Sequence, residues 1–390
     1  MSQTDGPLRA ARAARGWSQS RAAEELAALA AVRGVTVAAP LSLKTQLSRW
    51  ENQHALPEEH YRDLLRELYE RSEAELGLVD PVEAPNVAGS DLDTLRAELA
   101  AAATVDESAI ELIGTQLRAT RALDDRLGAA AVSGSAYAQL SYLERALAYG
   151  TDSHLRRQLG RLVVDAATLA GRLALDGAEH STAWRHLETA KAGAREAESS
   201  ALLGYAMVEQ AAVLTDIGEV ATAVDLVDQA ITAATTEVPT PLRAWFEASR
   251  GEALAAAGAA SPAHSAYRSA ERELSASTAR SDISFVELPF LRFDLPALHR
   301  HRGHARRLLH EDESAIEDLR QALDDGGGSS REVAGIHVDL VHAHRSIGQL
   351  TEAAEHARSA RAIATRIGST RLVAELDRPR APASEPASRS

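Results

Sequence analysis

The sequence lacks cysteine and contains few aromatic residues, which together make up 4% of the 390 residues. Without cysteine, the chain cannot form disulfides, thiolate zinc sites or cysteine nucleophiles. Alanine and leucine are abundant instead. Small aliphatic side chains must therefore fill the core, and helices are favoured over sheets. The composition predicts an all-α protein.

Long apolar segments are also missing. No apolar run approaches the roughly 18 residues that a membrane-spanning helix needs. The N-terminal segment "MSQTDGPLRAARAARG" lacks the apolar stretch of a signal peptide. We therefore expect no membrane partner and a cytoplasmic location.

Motifs of catalysis and cofactor binding are absent as well. The sequence has no HExxH motif, no phosphate-binding loop with its lysine and no Gly-x-Ser-x-Gly. The segment "DDGGGSS" is expected to be a flexible connection between helices. The histidines of "LHRHRGHARRLLH" and "HVDLVHAHR" are expected on exposed helix faces, and metal binding is the less favoured alternative. This pattern predicts neither an enzyme nor a metal or cofactor.

Positive charge is concentrated near the N-terminus. The formal net charge is −14, yet residues 1–56 carry seven basic and four acidic side chains, a net charge of +3. The remaining residues must therefore carry −17. Because an acidic body repels polyanions, any nucleic acid should bind this N-terminal head.

Hydrophobic spacing and turn residues predict four helices in the head. Ser18 and Ser42 are candidate N-caps of the second and third helices, and a loop containing Pro40 precedes Ser42. Leucines and tyrosines at three- and four-residue spacing predict that the fourth helix is long and amphipathic. The four helices are expected at residues 7–15, 18–32, 43–52 and 61–76.

The third helix has one apolar and one polar face. Leu43, Leu47 and Trp50 are four and three residues apart, which predicts that they point into the head. Short polar and basic side chains occupy the other positions, as a helix that reads the major groove of DNA requires.

Ser18 and Gln19, together with "LSRWEN" at residues 47–52, resemble the helix-turn-helix of xenobiotic-response-element-type regulators, a family that includes phage repressors. The resemblance covers roughly residues 7–70. Family members usually join their second and third helices by a tight turn, whereas "VTVAAPLS" after Gly34 makes this connection longer. The resemblance implies that the head binds double-stranded DNA.

The same resemblance implies roles for individual residues. Lys44, Thr45 and Arg49 occupy positions that usually meet base edges, where lysine and arginine can donate to guanine and threonine can meet an acceptor or a thymine methyl. Backbone contacts are expected from the remaining residues of the predicted site. They are Arg15, Gln19, Gln46, Ser48 and Asn52, and Arg12 can add positive charge near the DNA backbone.

From residue 92 onward, a pattern of about 40 residues recurs. Each copy starts with an alanine, carries a middle residue four positions later and has a second alanine seven positions later. The leading alanines are Ala183, Ala223, Ala263, Ala315 and Ala353, and the middle residues are Leu187, Val227, Tyr267, Leu319 and Ala357. In three copies a glycine precedes the leading alanine by five residues, at Gly218, Gly258 and Gly348. Such a glycine suits the left-handed end of a helix, and each helix pair must stack on the next to bury its apolar face.

The third and fourth copies are separated by an insertion. Residues 277–303 contain Phe285, Phe290 and Phe293, three of the four phenylalanines. The insertion is expected to complete the core, and the alternative is a wall of a ligand-binding site.

The small–large–small pattern with its glycine resembles tetratricopeptide repeats. The whole chain resembles actinobacterial helix-turn-helix regulators with tetratricopeptide sensor domains, a group that includes peptide-responsive quorum-sensing regulators. This resemblance implies a nucleoid-associated transcriptional regulator. Its α-solenoid would bind a peptide, protein or small-molecule effector and mediate homodimerisation. The alternative is a tetratricopeptide interaction scaffold with a vestigial helix-turn-helix.

Four segments follow from this interpretation. Residues 1–78 form the DNA-binding domain, and residues 79–91, rich in proline, glycine and acidic side chains, form a linker. Residues 92–376 form the repeat domain. Residues 377–390 are rich in proline and serine and are expected to be disordered.

Overall fold

A computed structural model describes residues 7–35, 37–38, 40–51, 57–78, 88–234, 238–277, 291 and 293–377. This part of the chain is all helical and contains no strand, which confirms the predicted all-α class. The helices are α1 (Pro7–Ala14), α2 (Gln19–Arg33), α3 (Pro40–Glu51), α4 (Glu59–Tyr69), α5 (Glu73–Leu76), α6 (Ala88–Ala103), α7 (Glu107–Leu127), α8 (Ala129–Tyr149), α9 (Ser153–Asp176), α10 (His180–Glu196), α11 (Ser200–Asp216), α12 (Val220–Ala233), α13 (Thr240–Ala256), α14 (Ala260–Ser277), α15 (Leu295–Leu308), α16 (Asp312–Asp324), α17 (Ser330–Ser346), α18 (Leu350–Ile367) and α19 (Thr370–Asp377).

The chain divides into two compact units, Met1–Leu95 and Arg96–Ser390. The division falls within α6, shortly after the linker predicted at 79–91. Most of that linker, and all but the first residue of the predicted disordered tail, lie outside the described residues.

Helix α2 of the first unit is capped at both ends. Ser18 accepts a hydrogen bond from the backbone nitrogen of Arg21 at 3.1 Å, as an N-cap does. Gly34 ends α2 in the left-handed conformation. The predicted start of the third helix was wrong: α3 begins at Pro40 rather than after Ser42. Proline suits the first helical turn because its missing N–H has no helical partner there.

The predicted fourth helix is broken in two. Glu70 adopts a left-handed backbone with φ 53° and ends α4. Ser72 then starts α5, because its N–H donates to Glu75 Oε2 at 2.9 Å while its Oγ accepts from the Glu75 backbone nitrogen at 3.3 Å. Apolar spacing continued across residues 61–76, but this reciprocal capping interrupts the helix.

The second unit is built of helix pairs. The closest packing is within the pairs α9–α10, α11–α12, α13–α14, α15–α16 and α17–α18. All leading and trailing alanines of the sequence repeat are buried, and so are the middle residues except Ala357, which is half-buried.

One backbone position recurs in all five pairs. Gly218, Gly258 and Gly348 have φ of 86°, 75° and 79° at the helix-pair turn. Ala178 and His310 occupy the same position, five residues before Ala183 and Ala315, and both have φ 60°. The turn is therefore shared by every pair, although glycine marks it in only three.

The middle residue of the repeat packs on a small residue of the preceding helix. A Cβ atom at Gly171, Gly251 or Gly303 would lie 2.9, 2.6 or 2.6 Å from Leu187, Tyr267 or Leu319. In each case the two positions are 16 residues apart. At the same separation, the small middle residue Ala357 corresponds to the larger Val341, so the sizes at the two positions compensate.

The second unit closes on itself. Helices α9, α11, α13, α15, α17 and α19 each contact the next member of the series, and α19 contacts α9. Helices α17 and α18 also contact α7. The last helices therefore pack on the first ones, and the even-numbered helices α10–α18 lie against this inner layer.

The inserted segment becomes helical near its end. Asp294 caps α15 by accepting from the Ala297 backbone nitrogen at 3.1 Å. Phe293 is buried among the residues of α13–α15, and its ring meets His301 edge-on with centroids 5.6 Å apart. Phe293 therefore contributes to the core, whereas Phe285 and Phe290 lie outside the described residues.

Candidate nucleic-acid interface

The inner face of α3 anchors the helix in the first unit. Leu43, Leu47 and Trp50 are 0%, 1% and 7% exposed, which confirms the predicted inward face. Trp50 packs on Tyr61 of α4 with ring centroids 5.1 Å apart. Burial of these side chains contributes on the order of 2 kcal/mol each and fixes the rotation of α3.

The outer face of α3 carries the predicted base-reading residues. Lys44, Thr45 and Arg49 are all exposed on this one helix. Gln46 and Ser48 are half-buried, and Oε1 of Gln46 is enclosed by protein. The structure thus groups the three predicted base-reading residues, while Gln46 is turned partly inward.

Several arginines in α2 and in the turn before it are paired with carboxylates. Arg21 lies 2.5 Å from Glu25, and Arg33 Nε lies 3.0 Å from Glu67. Arg15 pairs with Glu70 at 3.3 Å. Within the described part of the chain, Lys44 and Arg49 have no such carboxylate partner. The cations left for an external anion therefore include the two on the outer face of α3.

A buried carboxylate braces α3. Glu51 is 4% exposed and accepts two hydrogen bonds from Arg12 of α1, one of them from Nη2 at 2.9 Å. It also accepts from Gln19 Nε2 at 2.9 Å. These bonds join the C-terminal end of α3 to α1 and α2. Because each involves a charged group, the brace is stronger than a neutral hydrogen bond.

The brace changes the interpretation of two predicted residues. Gln19, expected to hold phosphate, donates to Glu51. Arg12, considered a source of backbone charge, is ion-paired and also donates to the carbonyl oxygen of Trp17 at 2.7 Å. Sequence reasoning missed Glu51, because an acidic residue beside Trp50 gives no sign of an arginine 39 positions earlier.

Two further side chains, Arg15 and Tyr69, interact with groups at this end of the head. The guanidinium of Arg15 lies 5.5 Å from the centre of the Trp17 ring. Burial and the charge of Glu51 raise the pKa of Tyr69 to about 12, so that its hydroxyl stays protonated. Arg15 is exposed at the surface, and Asn52 lies outside the described residues.

The histidines of α15 and α17 are buried or half-buried, contrary to the prediction that they lie on exposed helix faces. His301 Nδ1 lies 2.8 Å from Glu252, and His304 Nδ1 lies 2.9 Å from Asp339. His344 is fully buried. Helices α15 and α17 belong to the inner layer and have neighbours on several sides, so their polar residues must find partners inside the protein.

These contacts change the pKa values of Glu252 and His304. Burial opposes ionisation of Glu252, but the hydrogen bond from His301 and the positive charges around it outweigh burial and lower the pKa of Glu252 to about 2. Burial lowers the pKa of His304, but the charge of Asp339 and the hydrogen bond to it have the larger combined effect, and the pKa is raised. No group of three or more histidine, cysteine, aspartate or glutamate residues within the described ranges is arranged to hold a metal ion.

No protein-family model matches the chain, and no curated protein matches it. Within the described ranges, no helix combines the length and apolarity that crossing a membrane requires.

Proposed function

We propose that the chain is a sequence-specific, DNA-binding transcriptional regulator. The observation that carries this proposal is the outer face of α3, where Lys44, Thr45 and Arg49 are exposed together. Lys44 and Arg49 lack carboxylate partners among the described residues, whereas other arginines of the head are paired. Lysine and arginine can donate to guanine O6 and N7, and threonine can meet either an acceptor or a thymine methyl.

The support of α3 suits this role. A helix that reads bases must hold its side chains in a fixed orientation, because a small rotation moves donors away from base edges. The buried apolar face and the Glu51 brace fix α3 from two directions. In this proposal the helix-turn-helix consists of α2 and α3. The connection between them is shorter than the sequence predicted, because α3 begins at Pro40.

The second unit is proposed to be a tetratricopeptide-like sensor. Its support is the stack of helix pairs with buried alanines at the repeat positions. The contact between α19 and α9 closes the layer of inner helices. Within this layer, side chains such as Glu252 and Asp339 are paired with histidines. In this proposal, an effector that enters the layer displaces such pairs. Binding of a peptide, protein or small molecule at this layer would shift the repeat packing and thereby the spacing of two DNA-binding heads.

Selection of bound DNA from a random pool tests the proposal directly. The full chain should enrich one sequence motif, and its affinity should fall as salt concentration rises. Arg49→Ala should lose about 1–3 kcal/mol of discrimination between the selected site and a mismatched site, with the fold unchanged. Arg21→Ala is the matched control, because Arg21 is an exposed arginine of α2 that pairs with Glu25.

The outcomes separate the proposal from its rival. If Arg49→Ala and Arg21→Ala bind the selected site equally well, α3 does not read bases. If the parent chain shows no salt-sensitive, sequence-dependent affinity at all, the protein is better described as a repeat scaffold.

A further inference from the structure

The connection between α2 and α3 comprises the six residues 34–39. At its start, the backbone nitrogen of Val35 donates to the carbonyl oxygen of Ala30 at 2.9 Å and closes α2. Val35, Val37 and Ala38 then pack against the apolar core of the first unit. The described part of the connection is therefore held against the head, up to a residue that lies two positions before the start of α3.

One side chain of α4 reaches this connection. The hydroxyl oxygen of Tyr61 accepts a hydrogen bond from the backbone nitrogen of Ala38 at 3.1 Å. Ala38 is half-buried, and a backbone N–H that is shielded from water needs a partner inside the protein. The Tyr61 hydroxyl is that partner, and it ties the chain entering α3 to α4.

The ring of Tyr61 also supports α3. Its centroid lies 5.1 Å from that of Trp50, on the inner face of the helix. Tyr61 is 7% exposed and belongs to the core of the first unit. Any effect of this residue on DNA must therefore act through the position of α3.

The two ends of α3 are held by different groups. Glu51, at the C-terminal end, is braced from α1 and α2. Near the N-terminal end, the Tyr61 hydroxyl holds the chain through Ala38. Leu43 is buried there as well, but apolar packing is non-directional, whereas a hydrogen bond fixes a distance and an angle.

The distances along α3 decide which residues depend on the hydroxyl. Lys44 and Thr45 lie seven and six residues from Glu51, whereas Arg49 lies two residues from it. Each residue adds about 1.5 Å along a helix. When the N-terminal end is released, α3 can tilt about its braced C-terminal end, and side chains farther from that end move more. The displacement is therefore larger at Lys44 and Thr45 than at Arg49.

We propose that Tyr61 is a positioning residue for base reading, and that its hydroxyl sets the place of Lys44 and Thr45 in the major groove. This inference rests on the proposed function, because it concerns the same helix. It assigns a role in sequence discrimination to a buried residue that lies outside α3.

Binding of the full chain to the selected DNA site and to single-mismatch sites tests the inference. Tyr61→Phe removes the hydroxyl and keeps the ring. It should reduce discrimination between the selected site and its mismatches by about fivefold, the effect of one lost hydrogen bond on an equilibrium. Affinity for unrelated DNA should change by less than about twofold, because phosphate contacts are kept.

Tyr69→Phe is the matched control. Tyr69 also lies on α4 and is 4% exposed, and its hydroxyl has no hydrogen-bond partner among the described residues. Its removal should leave discrimination unchanged. A purely structural role of Tyr61 would lower the melting temperature without changing the discrimination of the folded chain, so both quantities are measured for each variant.

A double-mutant cycle identifies the end of α3 that responds. Lys44→Ala removes a side chain that the hydroxyl is inferred to position, so Tyr61→Phe should cost less discrimination in that background than in the parent. In the Arg49→Ala background, Tyr61→Phe should keep its full cost.

Hydrogen exchange at the Ala38 amide tests the contact without DNA. Tyr61→Phe should raise the exchange rate at least about fivefold, because the amide loses its hydrogen-bond partner. Tyr69→Phe should leave the rate unchanged. An unchanged rate in Tyr61→Phe would show that the hydroxyl does not hold the connection.

The DNA measurements separate two kinds of failure. A parent chain that does not discriminate between DNA sequences overturns the proposed function and this inference with it. A parent that discriminates, together with a Tyr61→Phe variant that discriminates equally well, overturns this inference alone. Equal losses in Tyr61→Phe and Tyr69→Phe, or a cost of Tyr61→Phe that disappears with Arg49→Ala but not with Lys44→Ala, would also overturn it.

Discussion

The guanidinium of Arg331 donates to Asp124 at 2.8 Å, although 207 residues separate them in the sequence. The side chain of Asp124 is fully buried. The same guanidinium pairs with Asp176, whose backbone oxygen also accepts from Thr370 Oγ1 at 3.1 Å. These bonds link α17 and α19 to α7 and α9. The closure of the second unit therefore depends on ion pairs as well as on apolar contacts.

Substituting Arg331 should weaken this closure strongly. In Arg331→Ala the buried carboxylates of Asp124 and Asp176 lose their main cationic partner, and an uncompensated buried charge costs about 3–5 kcal/mol. Denaturant unfolding measures the change in unfolding free energy. Arg361→Ala is the control, because the Arg361–Asp377 pair is 52% and 57% exposed and should contribute less than about 1 kcal/mol. Equal effects of the two substitutions would show that the ion pairs do not hold the closure.

A cluster of histidines should make stability depend on pH. His337 and His356 approach within 2.9 Å through their Nδ1 atoms, and the ring of His344 stacks on His356. Burial, together with the charges of His337, His344 and Arg320, lowers the pKa of His356 to about 4. Between pH 6.5 and about 4 the unfolded chain binds a proton there that the folded chain rejects. The unfolding free energy should therefore fall as pH falls through this window.

The substitution His356→Gln removes the group responsible and should flatten this part of the stability profile. Unfolding curves measured at several pH values give the slope. His154→Gln, at a histidine with a 61% exposed side chain, should leave the slope unchanged. If the slope survives in His356→Gln, other groups cause it.

The left-handed turns at Ala178 and His310 predict a gain in stability from glycine. A side chain at φ 60° costs on the order of 1 kcal/mol, and glycine relieves this strain. Ala178→Gly should therefore raise the melting temperature. In contrast, Ala192→Gly, in the exposed interior of α10, should lower it by the usual helix penalty of about 1 kcal/mol. A loss of stability in Ala178→Gly would contradict the backbone assignment.

The size match between Gly303 and Leu319 predicts a compensating pair. Gly303→Ala places a Cβ atom 2.6 Å from Leu319 and should destabilise by about 1–3 kcal/mol. Adding Leu319→Ala should cost less in this background than in the parent, because the larger residue at 303 fills part of the space. A double-mutant cycle measures the coupling. Gly335→Ala, where a Cβ atom would contact nothing within 4 Å, is the control and should stabilise the helix.

The sequence alone determined the local features of this protein. Low aromatic content, alanine-rich periodicity and turn residues predicted an all-helical chain, the Ser18 cap and the buried face of Leu43, Leu47 and Trp50. It also revealed the repeat positions, which are buried except for the half-buried Ala357. These features depend on residues within a few turns of one another, so helix propensity, capping and spacing record them directly.

Tertiary structure decided the pairings between distant residues. The partners of Glu51, Asp339 and Arg331 are 32–39, 32–35 and 155–207 positions away in the sequence. The sequence shows that these polar side chains are present, but it does not show which residues they contact. Two local features were also not predicted: the start of α3 at Pro40 and the break at Glu70. Several residues within a short stretch can cap a helix, so the sequence does not decide which one does. The physical reason is common to both: periodicity states which face of a helix is buried, and only the packed chain determines what lies against it.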